Sequence, residues 1–221
     1  MTEEKAEKAD KKTDYEFYAQ IGIVVFLAVI LIYSFGKSSS GGSIVGNSIA
    51  SVSASEIIPT GVPKIYGSEL GVSYDDISPN NQQKANAAIA VLGNLDDAIS
   101  LSGADLQRYI SIASQISCEY CCGAESIIFS NGQAACGCAH SYAMRGLAKY
   151  LIKNHNSEFS DDEILEELGK WKVLFFPGIH QTKAAVLKAQ GIELNYINLA
   201  SNKYRGIETG QQASSGMVGG C

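Results

Sequence analysis

The chain has 221 residues, 46% of them hydrophobic and 18% charged, with a formal net charge of -6 and a pI near 5.1. That length allows one domain of ordinary size plus appendages. The acidic balance excludes a nucleic-acid partner, because phosphate binding needs clustered Lys and Arg and no basic stripe is present.

Residues 1–16 are charged and poor in apolar side chains, and read as a cytoplasmic tail. From Phe17 to Phe35 the run FYAQIGIVVFLAVILIYSF carries no charge. At about 1.5 Å per residue it reaches about 28 Å, roughly the thickness of a hydrocarbon core. Tyr15, Phe17 and Tyr18 at one end and Tyr33 and Phe35 at the other supply aromatic belts. A transmembrane helix embedded in the lipid bilayer is therefore expected over 17–35. A cleaved signal peptide has a shorter apolar region and a small-x-small cleavage site. Lys5, Lys8, Lys11 and Lys12 precede the run and only Lys37 follows closely, which orients the N-terminus to the cytoplasm and the remainder outside it.

Residues 36–55 are rich in Gly and Ser and read as a flexible linker. A folded domain is expected over 56–208. Apolar residues recur at helical intervals in two runs, Ala88, Val91, Leu92, Leu95 and Ile99, then Leu106, Ile110 and Ile116, with a break near Ser102-Gly103. Met144, Leu147, Ala148 and Leu151 define one face of a helix over 141–154. Ser160-Asp161-Asp162-Glu163 has the capping-box pattern, and Ile164, Leu168, Trp171 and Phe175 follow as a buried stripe ending at Pro177-Gly178. A short helix over 181–190, closed by Gly191, comes last. Residues 209–221 offer no core-forming pattern and read as a flexible tail ending in Cys221.

Five of the six cysteines lie in CEYCCGAESIIFSNGQAACGCAH, between Cys118 and Cys138. Asn131-Gly132 is a strong two-residue hairpin signal, because a type I′ turn needs positive φ at both central positions. With that loop Ile127 faces Cys136 and Glu125 faces Cys138, so a β-hairpin would bring the two cysteine groups together. The expected fold is thus mainly α: a helical extracytoplasmic domain with one embedded β-hairpin carrying a Cys/His cluster, plus one N-terminal transmembrane helix.

Cys118, Cys121, Cys122, Cys136, Cys138 and His140 form the expected metal site, and Cys221, freed by Gly219-Gly220, is a further ligand in reach of it. His140 opens a helix whose N-terminal partial charge favours a thiolate at Cys138. The thiolate-rich set suits Zn or Cu(I). An iron–sulfur cluster ranks behind, since the spacing matches no common ferredoxin run. Met144, one turn beyond His140, could offer a thioether but also completes the apolar stripe. Two other readings stay open: disulfide bonding in an oxidising compartment, making a stapled interaction module, and a thiol–disulfide or electron-transfer protein built on Cys118-x-x-Cys121. No Ser/His/Asp set, phosphate loop or paired-carboxylate motif marks an enzyme. Glu119, Glu125, His155 and His180 read as surface residues.

CEYCCG, CGCAH and the following SYAMRGLAKYL, with the terminal VGGC, resemble an uncharacterised family of archaeal-type single-span membrane proteins, over about Gly61 to Ile207. That resemblance implies the membrane-anchored architecture and treats the cysteine motif as one unit. It implies no metal and no reaction.

Overall fold

The computed structural model describes residues 52–211 and 216–220, and the expected cytoplasmic tail, transmembrane helix and most of the linker lie outside them. Among the described residues no helix is long and apolar enough to cross a membrane. The helices are α1 (Ala54–Ile57), α2 (Gly67–Leu70), α3 (Gln82–Ala98), α4 (Gly103–Ala113), α5 (Ala139–Asn154), α6 (Asp161–Phe175), α7 (Pro177–Ala189) and α8 (Tyr196–Ala200). Single 3-10 turns at Tyr74–Asp76 and Asn202–Tyr204 complete the set.

Three of the long helices, α3, α5 and α6, start where a side chain accepts from the unpaired N–H groups of the first turn. Asn81 accepts from the Lys84 amide ahead of α3, and Ser160 and Glu163 close a reciprocal capping box ahead of α6. At α7 the helix begins four residues earlier than expected, because Pro177 occupies the first turn, where its missing N–H costs nothing. On α3 the buried face is Ala85, Ala88, Ile89, Leu92 and Asp96, and Val91 is exposed.

α5 is the centre of the domain, packing against α3, α4 and α6. Its residues from Ala143 to Ala148 are all buried, including Arg145. The contact with α3 depends on Gly146, where an added Cβ would stand 1.9 Å from the Leu92 carbonyl oxygen. Only hydrogen fits there, so the two backbones approach more closely than side chains would allow. The segment before α3 is held by polar bonds in the core: Tyr66 and Tyr74 hydroxyls both donate to Glu167 Oε2, at 2.7 and 2.6 Å, and Trp171 Nε1 donates to the Tyr66 oxygen at 2.7 Å.

The expected β-hairpin does not form, and the described residues contain no strand. The segment makes only an isolated antiparallel bridge, Ile128 with Ala134. The loop has three residues instead of two: Gly132 N–H donates to Phe129 O, Phe129 N–H donates to Gln133 O, and only Gly132 takes positive φ, +83°. This is a turn that ends in a left-handed glycine. It shifts the pairing by one residue, enough to reverse which side chains share a face. One further cross-bond forms, Ala135 N–H to Ile127 O at 3.2 Å, and beyond it side chains draw on the carbonyls. Ile127 O and Cys136 O accept from Arg145, and Glu125 O accepts from Asn202.

Gly146→Ala is expected to destabilise the domain by roughly 1–3 kcal/mol, the usual cost of overpacking a tight contact. Urea unfolding measured beside the unaltered chain checks this.

Candidate metal centre

The cysteine segment is positioned by two arginines and a helix end. Arg145, on α5, is 1% exposed; its Nε donates to Asp96 Oδ2 at 2.7 Å, and its Nη1 to the carbonyls of Cys136 at 2.8 Å and Ile127 at 3.3 Å. Lys149 adds a second cation on Asp96, at 2.6 Å. Arg205 grips the other limb, donating to Ala124 O at 2.9 Å and Gly123 O at 3.0 Å. Forked guanidinium donors of this kind fix a loop that has no ladder of its own.

Cys138 is the N-cap of α5 and accepts from the Ser141 amide at 3.4 Å. Its Sγ lies 3.2 Å from Cys118 Sγ, both buried, and a ring nitrogen of His140 completes a trio whose ligand atoms all fall within 4.8 Å of one another. Cys138 also belongs to a second trio, with Cys122 and Cys136, under the same limit. Cys122 and Cys136 are joined by a disulfide, with Cα atoms 6.5 Å apart. Cys118 and Cys138 are free thiols, whereas Cys121 is disulfide-bonded. Cys221 lies outside the described residues. Five of the expected site residues, Cys118, Cys122, Cys136, Cys138 and His140, therefore converge on one place.

The two free sulfurs are electrostatically unequal. The Cys118 hydrogen bond holds Cys138 well below the ordinary thiol value, against the opposing effect of burial and with help from His140 and Ser141. The same bond and burial push Cys118 up. The lower value at Cys138 agrees with its place at a helix N-terminus, whose partial positive charge favours a thiolate there.

His140 is fully buried, its ring 4.7 Å from that of Phe175 and 5.0 Å from that of Phe176 between centroids. Nε2 donates to the Val218 carbonyl at 2.9 Å, which fixes the orientation of the ring. Val218 comes from the C-terminal segment, where the sequence shows no core pattern, yet its side chain is fully buried. Its amide donates to Phe175 O at 2.9 Å, and the amides of Gly219 and Gly220 donate to Gln82 and Asn86 on α3.

Behind Cys118 lies a layer of charge in the interior. Glu119 takes φ +49°, unusual for a side-chain-bearing residue, in a tight turn where Tyr120 N–H reaches back to Cys118 O. That conformation turns the Glu119 carboxylate inward, to Lys172 Nζ at 3.0 Å and the Gly206 amide at 2.9 Å. Burial would raise the Glu119 pKa, but the charges of Lys172 and Lys183 outweigh it and hold it low. Burial pushes Lys172 down to about 8. His180 is fully buried and His155 nearly so, the latter bridging Glu69 and Glu158. Glu119, His155 and His180 are thus interior residues, not surface ones. A lone Lys in the apolar run Trp171-Lys172-Val173-Leu174-Phe175 was the available signal for this layer. Arg145 and Arg205 had no such signal.

In comparisons with protein-family models, curated proteins and solved structures, nothing matches the chain. Its function is therefore argued from the Cys/His groups, which could hold a metal ion, and from the disulfide beside them.

Two outcomes follow from this support structure. Arg145→Met should cost about 1–3 kcal/mol in urea unfolding, since it leaves the Cys136 carbonyl without its buried donor and Asp96 with Lys149 alone. Deleting Met217 to Cys221 should cost about 2 kcal/mol through lost burial of Val218, and raise the exchange rate of the His140 ring protons in NMR.

Proposed function

We propose that the domain binds one soft metal ion through Cys118, Cys138 and His140, and that holding or handing on this ion is its role. The carrying observation is the convergence of two free buried thiols and an imidazole anchored through Nε2 within 4.8 Å. Buried sulfurs 3.2 Å apart are close to ligand spacing. Zn–S bonds of about 2.3 Å in a tetrahedron place sulfurs about 3.8 Å apart, so loading needs an opening of about half an ångström.

Ligand number favours Cu(I) over Zn. A closed zinc site takes four protein ligands, and the nearest further sulfurs, Cys122 and Cys136, are committed to a disulfide. Two thiolates and one imidazole, all buried, suit a soft monovalent ion. The adjoining disulfide also supports placing the domain in an oxidising compartment outside the cytoplasm.

Anaerobic titration of the full chain with Cu(I), against a chromogenic Cu(I) chelator, tests the reading. One ion per chain is expected, with a higher melting temperature on loading. Cys118→Ser, Cys138→Ser and His140→Ala should each weaken retention by about tenfold or more, whereas Glu125→Gln should not change it. A chain with Cys118 and Cys138 shown to be free that still binds neither Cu(I) nor Zn would overturn the proposal.

A further inference from the structure

The arrangement of four sulfurs does something that a metal site alone does not require. Cys138 Sγ stands 3.2 Å from the Cys118 thiol and within 4.8 Å of both sulfurs of the Cys122–Cys136 disulfide. A free thiol pair and a disulfide thus share one sulfur position between them. Exposure is graded across the set: Cys122 is exposed, whereas Cys136, Cys138 and Cys118 are buried. Neither pair needs the other for packing, and a structural disulfide has no need of a dithiol at its side.

We propose that these four cysteines form a thiol–disulfide relay, in which Cys122–Cys136 is the outward-facing couple and Cys118–Cys138 the buried one. In the first step Cys138 attacks Cys122 Sγ; the Cys122–Cys136 bond breaks, a Cys122–Cys138 bond forms, and Cys136 leaves as a thiol with the proton Cys138 gives up. Cys118 then attacks Cys138 Sγ, forming Cys118–Cys138 and releasing Cys122 as a thiol with the proton Cys118 gives up. Two electrons have moved from the buried pair to the outer one, with no atom gained or lost. An external disulfide reoxidises Cys122 and Cys136 and departs as two thiols, and an external dithiol drives the sequence backwards. Cys122 is the entry point because it is the solvent-accessible sulfur of the four.

The relay does not depend on a metal ion, but it acts on the same site. Oxidation of Cys118 and Cys138 removes two of the three ligands proposed above, so an oxidising partner would expel the ion and a reducing one would restore the site.

A matched pair of variants tests the relay in the full chain, kept metal-free by chelator. Cys136→Ser and Cys122→Ser both lose the outer disulfide and share its stability cost, but only Cys136→Ser keeps the exposed sulfur next to Cys138. All chains carry Cys121→Ser and Cys221→Ser, so that no other thiol substitutes. After mild reduction, glutathione disulfide is added, and the Cys118–Cys138 linkage is followed by alkylation and peptide mass mapping. Cys136→Ser should acquire it through a Cys122 mixed disulfide, and Cys122→Ser should acquire it at least about tenfold more slowly. Equal rates in the two variants, or no Cys118–Cys138 linkage in either, would overturn the relay. Because no metal takes part, that result leaves the titration outcome to decide the metal reading separately.

Discussion

The buried guanidinium of Arg145 joins the helical core to the cysteine segment, and most of the site's geometry descends from it. It sits on the central helix, is paired with Asp96 of α3, and directs Nη1 at the carbonyls of Ile127 and Cys136. A buried ion pair of this sort adds little net stability, because desolvation offsets the attraction. What it supplies is position. The Cys136 carbonyl, which would otherwise need a neighbouring strand, is satisfied by a side chain fixed to a helix, so the segment holds its shape without a sheet.

Once Cys136 is fixed, the next turn of chain must enter α5, and Cys138 becomes the helix cap. Cap geometry aims its sulfur at the first-turn amides and at Cys118, which follows the end of α4 and leads into the tight turn at Glu119. The imidazole of His140, two residues on, is held by the C-terminal segment from the opposite side. Three parts of the chain that are distant in sequence thus meet at one point, and each is anchored by a different device: a guanidinium, a strained turn and a docked tail.

The mixed redox state is what separates this site from a plain metal knuckle or a plain disulfide scaffold. One disulfide and one dithiol coexist within a few ångströms, with Cys138 at the junction. The same sulfur can therefore be a ligand or a nucleophile. The charged layer of Glu119, Lys172, Lys183 and Glu208 lies just behind Cys118 and keeps that side of the site polar in an otherwise apolar interior.

Periodicity and caps were enough to determine the helices α3 to α6 and their breaks, since those signals are local and each helix needs one apolar face. The clustering of Cys118, Cys122, Cys136, Cys138 and His140 was also legible, because short spacing confines them whatever the turn. Register was not. Asn131-Gly132 permits two loop lengths, and the choice fell to Arg145 and Asn202, whose partners lie elsewhere in the chain. The sequence likewise could not say which cysteines would be oxidised, nor that Val218 would be buried against His140, because both depend on which segments meet. Sequence by itself determined the elements and the inventory of ligands; only the tertiary structure decided pairing, register and protonation, which are set by contacts between residues far apart in the chain.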